Sequence, residues 1–173
     1  FIYRDYKWRD LPKLLHRTVK TVTVVMILIG FAAAFGYIMT IMMIPMTVTS
    51  FLTSLSDNKY VLLALINVLL LVLGAIMDMA PLILILTPIL MPVIKMIGVD
   101  PVHFGMIMML NLGIGLITPP VGAVLFTGSA VAKLSIGEVL SAMKPFFLAL
   151  LLVLGMVTYI PWLSLWLPRY LGL

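Results

Sequence analysis

The oxygen atoms best placed to hold an ion in this sequence belong to two short runs. The first is Gly74-Ala75-Ile76-Met77-Asp78-Met79-Ala80-Pro81, and the second is Gly115-Leu116-Ile117-Thr118-Pro119-Pro120-Val121-Gly122. Each interrupts a long apolar stretch. Pro119 and Pro120 remove two backbone donors, and each pushes the residue before it out of the α region. Residues 101–132 are therefore expected as two half-helices with an unwound link at 115–122. Discontinuous helices survive in lipid only where they are buried in protein or line a cavity. The carbonyls freed at the end of a half-helix suit a hard cation, which prefers oxygen ligands. The candidate Na+ ligands are the backbone at Gly74, Gly115 and Val121, the Thr118 hydroxyl and the Asp78 carboxylate; no other metal is expected.

Simpler readings stand beside these. A Thr-Pro-Pro break is also what a plain kink looks like. Asp78 is also in position to cap the helix that follows it. Asn67 and Asn111 read as hydrogen-bond partners between helices, with a second reading for Asn111 as a group facing a substrate. Gly30-Phe31-Ala32-Ala33-Ala34-Phe35-Gly36 is a run of small residues that lets a helix or a ligand approach the backbone closely.

Enzyme chemistry finds no foothold. His16 and His103 stand far apart, and no cluster of His and carboxylates has ligand spacing. Cysteine is absent and no Gly-rich loop precedes a Lys-Ser or Lys-Thr pair. The chain is expected not to be an enzyme, and energy for any transport must come from an ion gradient or another chain.

The solvent for these elements must be lipid. Of 173 residues, 64% are hydrophobic and 10% charged, against roughly half and a quarter in soluble domains. Stretches such as Val61 to Ile76 lack the alternation of barrel strands, so the fold class is all-α and polytopic. Residues 1–20 mix aromatics and bases and read as an interfacial amphipathic arm helix, with rings at headgroup level. The basic stretch is an orientation signal and an anchor, not a nucleic-acid site. Residues 21–55 read as a transmembrane helix with an extension. Residues 60–98 form a re-entrant helical hairpin with its tip near 74–81, or two full spans. Residues 101–132 are the broken transmembrane helix, 133–145 a cytoplasmic connector, and 146–168 the last transmembrane helix, with Tyr159, Trp162 and Trp166 as an aromatic belt. With the arm inside, the cytoplasmic set is Arg4, Lys7, Arg9, Lys13, Arg17, Lys20, Lys133 and Lys144. Lys59, Lys95 and Arg169 lie outside, an asymmetry of the expected sign.

Residues 74–122, GAIMDMAPLILILTPILMPVIKMIGVDPVHFGMIMMLNLGIGLITPPVG, resemble the C-terminal repeat of the large subunit of tripartite ATP-independent periplasmic (TRAP) transporters. The resemblance rests on the order of Gly74 with Met77-Asp78, Thr87-Pro88 with Pro92, Gly98-Val99-Asp100-Pro101 with His103-Phe104-Gly105, and Asn111 through Gly122. It implies an ion-transporter-superfamily fold of two inverted repeats, each with an arm helix, a hairpin and a broken helix. Only one such repeat is found, and the sequence opens on Phe1, so the chain is expected to be a fragment lacking the N-terminal repeat. The resemblance further implies a Na+-coupled importer of organic-acid anions such as dicarboxylates, sugar acids or sialic acids. It would work by an elevator movement in the bacterial inner membrane, with a small four-helix membrane subunit and a periplasmic substrate-binding protein. Gly74, Gly115, Thr118 and Val121 match the family's Na+ positions, whereas Asp78 is an addition from the residues. Ala33, Ala34 and Gly36, with Asn111 and Pro119, would border the substrate cavity. Two competing readings are a superfamily anion or drug carrier without a binding protein, and a structural fragment that does not transport.

Overall fold

The computed structural model describes residues 8–172. The start of the arm, with Phe1, Tyr3, Arg4, Tyr6 and Lys7, lies outside the described residues. A 3-10 turn, Trp8–Asp10, leads into α1, Leu11–Ile41. The chain continues as α2, Ile44–Leu55; α3, Lys59–Ile76; α4, Met79–Met96; and α5, Pro101–Leu116. It ends with α6, Ala123–Ala132; α7, Ile136–Tyr159; and α8, Trp162–Tyr170. Four of these, α1, α3, α4 and α7, are long and apolar enough to cross a membrane. The all-α polytopic class holds.

Several boundaries differ from the sequence reading. No break separates arm from span at residue 20: α1 runs 31 residues, about 46 Å at 1.5 Å per residue. Pro12 sits in its first turn, where a missing N–H costs nothing. The change from Lys and Arg to Val and Ile after Lys20 alters polarity, not helix propensity, so it marks depth rather than an end. The real interruption is Met42-Met43, where Met43 takes the left-handed region at φ 55°. Pro45 then starts α2, whose hydroxyls return to its own carbonyls: Thr49 Oγ1 donates to Pro45 O at 2.7 Å and Ser54 Oγ to Phe51 O at 2.7 Å. This local bonding lets a Ser/Thr-rich helix tolerate apolar surroundings.

The connector at 133–145 is mostly helical. Ser135 and Glu138 form a capping box that opens α7 at Ile136. The expected last span, 146–168, is in turn divided at Ile160-Pro161, because Pro161 has no N–H to donate to Val157 O.

α3 and α4 form a hairpin. Met77-Asp78 link them at one end, and at the other Lys59 Nζ donates to Gly98 O at 3.1 Å. Both chain ends of the hairpin therefore lie on one side. That side is closed by a Schellman turn: Gly98 at φ 67°, with Val99 N donating to Ile94 O at 3.0 Å and Gly98 N to Lys95 O at 3.1 Å. Asp100 then caps α5, its Oδ1 accepting from Val102 N at 2.8 Å, with Pro101 in the first turn.

The core is shared by three helices. α3 contributes Leu62, Leu63, Ile66 and Leu70; α4 contributes Leu86, Leu90, Val93 and Ile94; α5 contributes Phe104, Ile107, Met108 and Leu112. Each set follows helical spacing. α1 and α7 stay largely exposed.

Candidate functional site at the hairpin tip

α3 and α5 run side by side in the same direction, from the hairpin base to its tip. Their backbones meet near the ends. A methyl group on Gly115 would lie 2.4 Å from Gly74 C and 2.7 Å from Gly74 O. Only hydrogen fits there, so the two helix backbones touch. The chain beyond α5 also binds the tip, as Val121 N donates to Ala75 O at 3.1 Å.

Two helix C-termini thus converge, each with carbonyls that have no intrahelical donor. Some find partners locally: Met77 N donates to Leu73 O at 2.9 Å, and Thr118 N to Gly115 O at 2.9 Å. Thr118 Oγ1 donates to Ile114 O at 2.6 Å, which leaves the hydroxyl lone pairs to accept a cation. The Pro119-Pro120 peptide is cis, and Gly122 turns at φ 35° to start α6. Among the described residues no three His, Asp or Glu gather around one point. The oxygens concentrated here are backbone carbonyls and one hydroxyl, a hard-cation donor set.

The structure brings Gly74, Gly115, Thr118 and Val121 together. Asp78 occupies the N-cap position of α4 but its side chain makes no capping bond, and it is exposed. The residues grouped with a substrate cavity do not share one place. Ala33 and Gly36 line a cavity of about 310 Å3 between α1 and α4, facing Leu84 and Pro88; Ala34 does not line it. Pro119 is exposed in the turn after α5. Asn111 is wholly buried between α3 and α5, where its amide donates to Asn67 Oδ1 at 2.7 Å and to Ile107 O at 2.8 Å. In this structure the carboxamide nitrogen joins the helices, and Oδ1 is buried without a hydrogen-bond partner.

Asn67 continues the line, donating to Thr158 Oγ1 at 2.9 Å. His103, which the sequence left isolated, is 2% exposed and reaches Ser164 Oγ at 3.2 Å and Thr158 O at 3.3 Å. A polar seam therefore crosses α3, α5, α7 and α8. Its signal was present: His103, Ile107, Asn111 and Gly115 recur every fourth residue and share one face of α5. A double-mutant cycle on Asn67→Ala and Asn111→Ala should give a coupling of about 0.6–1.7 kcal/mol, the range of interhelical hydrogen bonds in membranes. Thermal unfolding of the four proteins in detergent measures it, and additive effects would remove the bond's energetic role.

Residues 1–163 match the family described as tripartite ATP-independent periplasmic transporter, DctM component. The chain belongs to this family. Relatives of the DctM component agree along the whole chain. It is 40% identical to the C4-dicarboxylate TRAP transporter large permease protein DctM of Pseudomonas aeruginosa, over 100% of this chain and 40% of that protein. It is 40% identical to the 2,3-diketo-L-gulonate TRAP transporter large permease protein YiaN of Escherichia coli K12, over 92% of this chain and 38% of that protein. With the sialic acid TRAP transporter large permease protein SiaM of Vibrio cholerae the identity is 36%, over 99% of this chain and 40% of that protein. The chain spans about two fifths of the length of these relatives.

Proposed function

We propose that this chain is the C-terminal repeat of the large membrane subunit of a Na+-coupled importer. Its cargo would be organic-acid anions of the dicarboxylate, sugar-acid or sialic-acid class. The observation that carries the reading is the convergence of the α3 and α5 C-termini at Gly74 and Gly115, beside Thr118 and Val121. Two negative helix ends and a hydroxyl form a cradle for one monovalent cation. Na+ bound there would hold the hairpin tip against the broken helix and so tie cargo binding to ion binding.

The position of the α5–α6 break supports a tip that stops inside the bilayer, while α3 and α4, at 18 residues each, are also long enough to cross it. α5 has 16 residues and α6 has 10, about 24 and 15 Å, while the unbroken α7 has 24 residues, about 36 Å. On this reading the α5–α6 break, and with it the tip, lies partway along the crossing. The reading places the whole protein in the inner membrane with a second repeat, a small membrane subunit and a periplasmic binding protein. The family description as a component of a tripartite periplasmic transporter and the relatives' names as large permease proteins support an assembly of several parts. Movement would be of the elevator type, with the tip and broken helix travelling as one body.

The test is uptake of labelled organic acid into proteoliposomes containing the full-length large subunit, its small subunit and its binding protein. Thr118→Ala should weaken apparent Na+ affinity about tenfold, a change of about 1.4 kcal/mol. Uptake indifferent to replacing Na+ with K+, or unchanged Na+ dependence in Thr118→Ala, would reduce the double-proline break to a kink. Full uptake without the binding protein would point instead to a carrier that loads directly.

A further inference from the structure

The cations expected on the outward side are few, and two of them meet in one cavity. A space of about 220 Å3 opens at the hairpin base, where α3, the turn after α4, the end of α7 and α8 come together. Lys59 lines it from α3 and Arg169 from α8. Lys59 Nζ donates to Gly98 O, which leaves two of its three N–H groups for a ligand. The Arg169 guanidinium is exposed and makes no hydrogen bond or ion pair among the described residues, so its five donors are available. One carboxylate, Asp100, stands at the rim, but its Oδ1 is engaged by the first N–H groups of α5. The balance at the cavity is two cations to one carboxylate, a net positive charge.

The rest of the wall fits a membrane–water boundary. Leu63, Val99 and Leu165 form an apolar floor. The rings of Tyr60 and Tyr159 meet at 6.0 Å, tilted by 54°. Trp162 and Trp166 are exposed on α8 beside the cavity, and Tyr and Trp gather at the headgroup level of bilayers. The space is below the roughly 300–1,000 Å3 of pockets that enclose a drug-sized ligand. It suits a headgroup whose tails remain outside, along the exposed apolar helices.

We propose that this cavity binds the phosphate of an anionic phospholipid in the outward-facing leaflet, with Arg169 forking two phosphate oxygens and Lys59 supplying the second positive charge. Arg suits the task because its planar fork matches phosphate geometry, while Lys acts as a point charge. Such a lipid would bridge α3 and α8 at the point where the polar seam through His103 ends.

Native mass spectrometry of the full-length large subunit, stripped of lipid in detergent, tests this. The probes are phosphatidylglycerol, phosphatidylcholine and glycerol 1-phosphate. Wild type should retain one tight phosphatidylglycerol, preferred over phosphatidylcholine. Arg169→Gln should weaken it at least tenfold with little change in unfolding temperature, since the side chain makes no hydrogen bond or ion pair among the described residues and glutamine keeps part of its aliphatic stem. Lys95→Gln, on the same side but outside the cavity, should bind like wild type. Equal binding by wild type and Arg169→Gln would overturn the proposal. So would an equal loss in Lys95→Gln, which would mean diffuse surface charge. Glycerol 1-phosphate binding as tightly as phosphatidylglycerol would overturn the lipid in favour of a soluble phosphate ester.

Discussion

Gly115→Ala should disable the full-length protein, and Gly74→Ala should do far less. The two glycines face each other, yet their surroundings differ. A methyl on Gly115 would stand 2.4 to 2.7 Å from three backbone atoms of Gly74. Backbone in a helix cannot rotate away as a side chain can, so α3 and α5 must separate. A methyl on Gly74 would meet Leu112 Cδ2 at 3.2 Å, which the leucine side chain can relieve, and Leu112 Cα at 3.3 Å, which needs a backbone shift of only a few tenths of an ångström. Overpacking of this kind costs about 1–3 kcal/mol, and the backbone clash places Gly115→Ala at the top of that range. Functionally the effect is larger. Separating the helix ends would pull Val121 N from Ala75 O and spread the carbonyls that converge at the tip. Uptake should fall at least a hundredfold in Gly115→Ala and only severalfold in Gly74→Ala. Proteoliposome uptake with thermal unfolding of both variants checks the order; equal effects would mean that the close approach is not tight from the α5 side.

The sequence carried the interruptions of this fold better than its contacts. Asp78 with Pro81, Gly98-Val99-Asp100-Pro101 and Thr118-Pro119-Pro120 are strong local signals, because Pro and Gly act on the backbone whatever surrounds them. The structure turns at each of these three places. The Met42-Met43 break is marked in the sequence only by Pro45, just beyond it, since Met43 takes a left-handed conformation that methionine rarely adopts. Faces were also hidden. In a soluble helix polar residues mark the outside, but here both lipid and core are apolar, so Leu69 and Leu70 look alike in sequence while only Leu70 is buried. The face is marked instead by small and polar residues. Asn67 and Asn111 carry the interhelical signal in the sequence, and they bond to each other. For the candidate site, Thr118 and the glycines were legible as types suited to a cation. That Gly74 meets Gly115 depends on the parallel packing of α3 and α5, which no local pattern specifies.

His103→Leu is the second substitution with a large expected effect, and it acts at the opposite end from the tip. Leucine is close in size, so the cavity term is small and the cost is polar. His103 Nε2 faces the Thr158 carbonyl, which can only accept; in the neutral ring Nε2 is therefore the donor and Nδ1 accepts from Ser164 Oγ. Replacing the ring strands the Thr158 carbonyl, near the end of α7 where regular helical bonding stops at Pro161, and the buried Ser164 hydroxyl. Each stranded group costs about 1–3 kcal/mol, so His103→Leu should lose about 2–4 kcal/mol, although membrane surroundings hold such terms toward the low end. Ser164→Ala removes one bond and leaves the carbonyl contact intact, so it should lose about half as much. The consequence for architecture is specific. His103 is the buried side chain that joins the start of α5 to both sides of the α7–α8 bend, so its loss should free α8 before the tip loosens. Limited proteolysis and thermal unfolding of the full-length protein read the two events separately. Cleavage near Pro161 should rise in His103→Leu while Na+ dependence of uptake stays near wild type. Unchanged cleavage would remove His103 from the joint, and a defect confined to Na+ dependence would tie it to the proposed ion site instead.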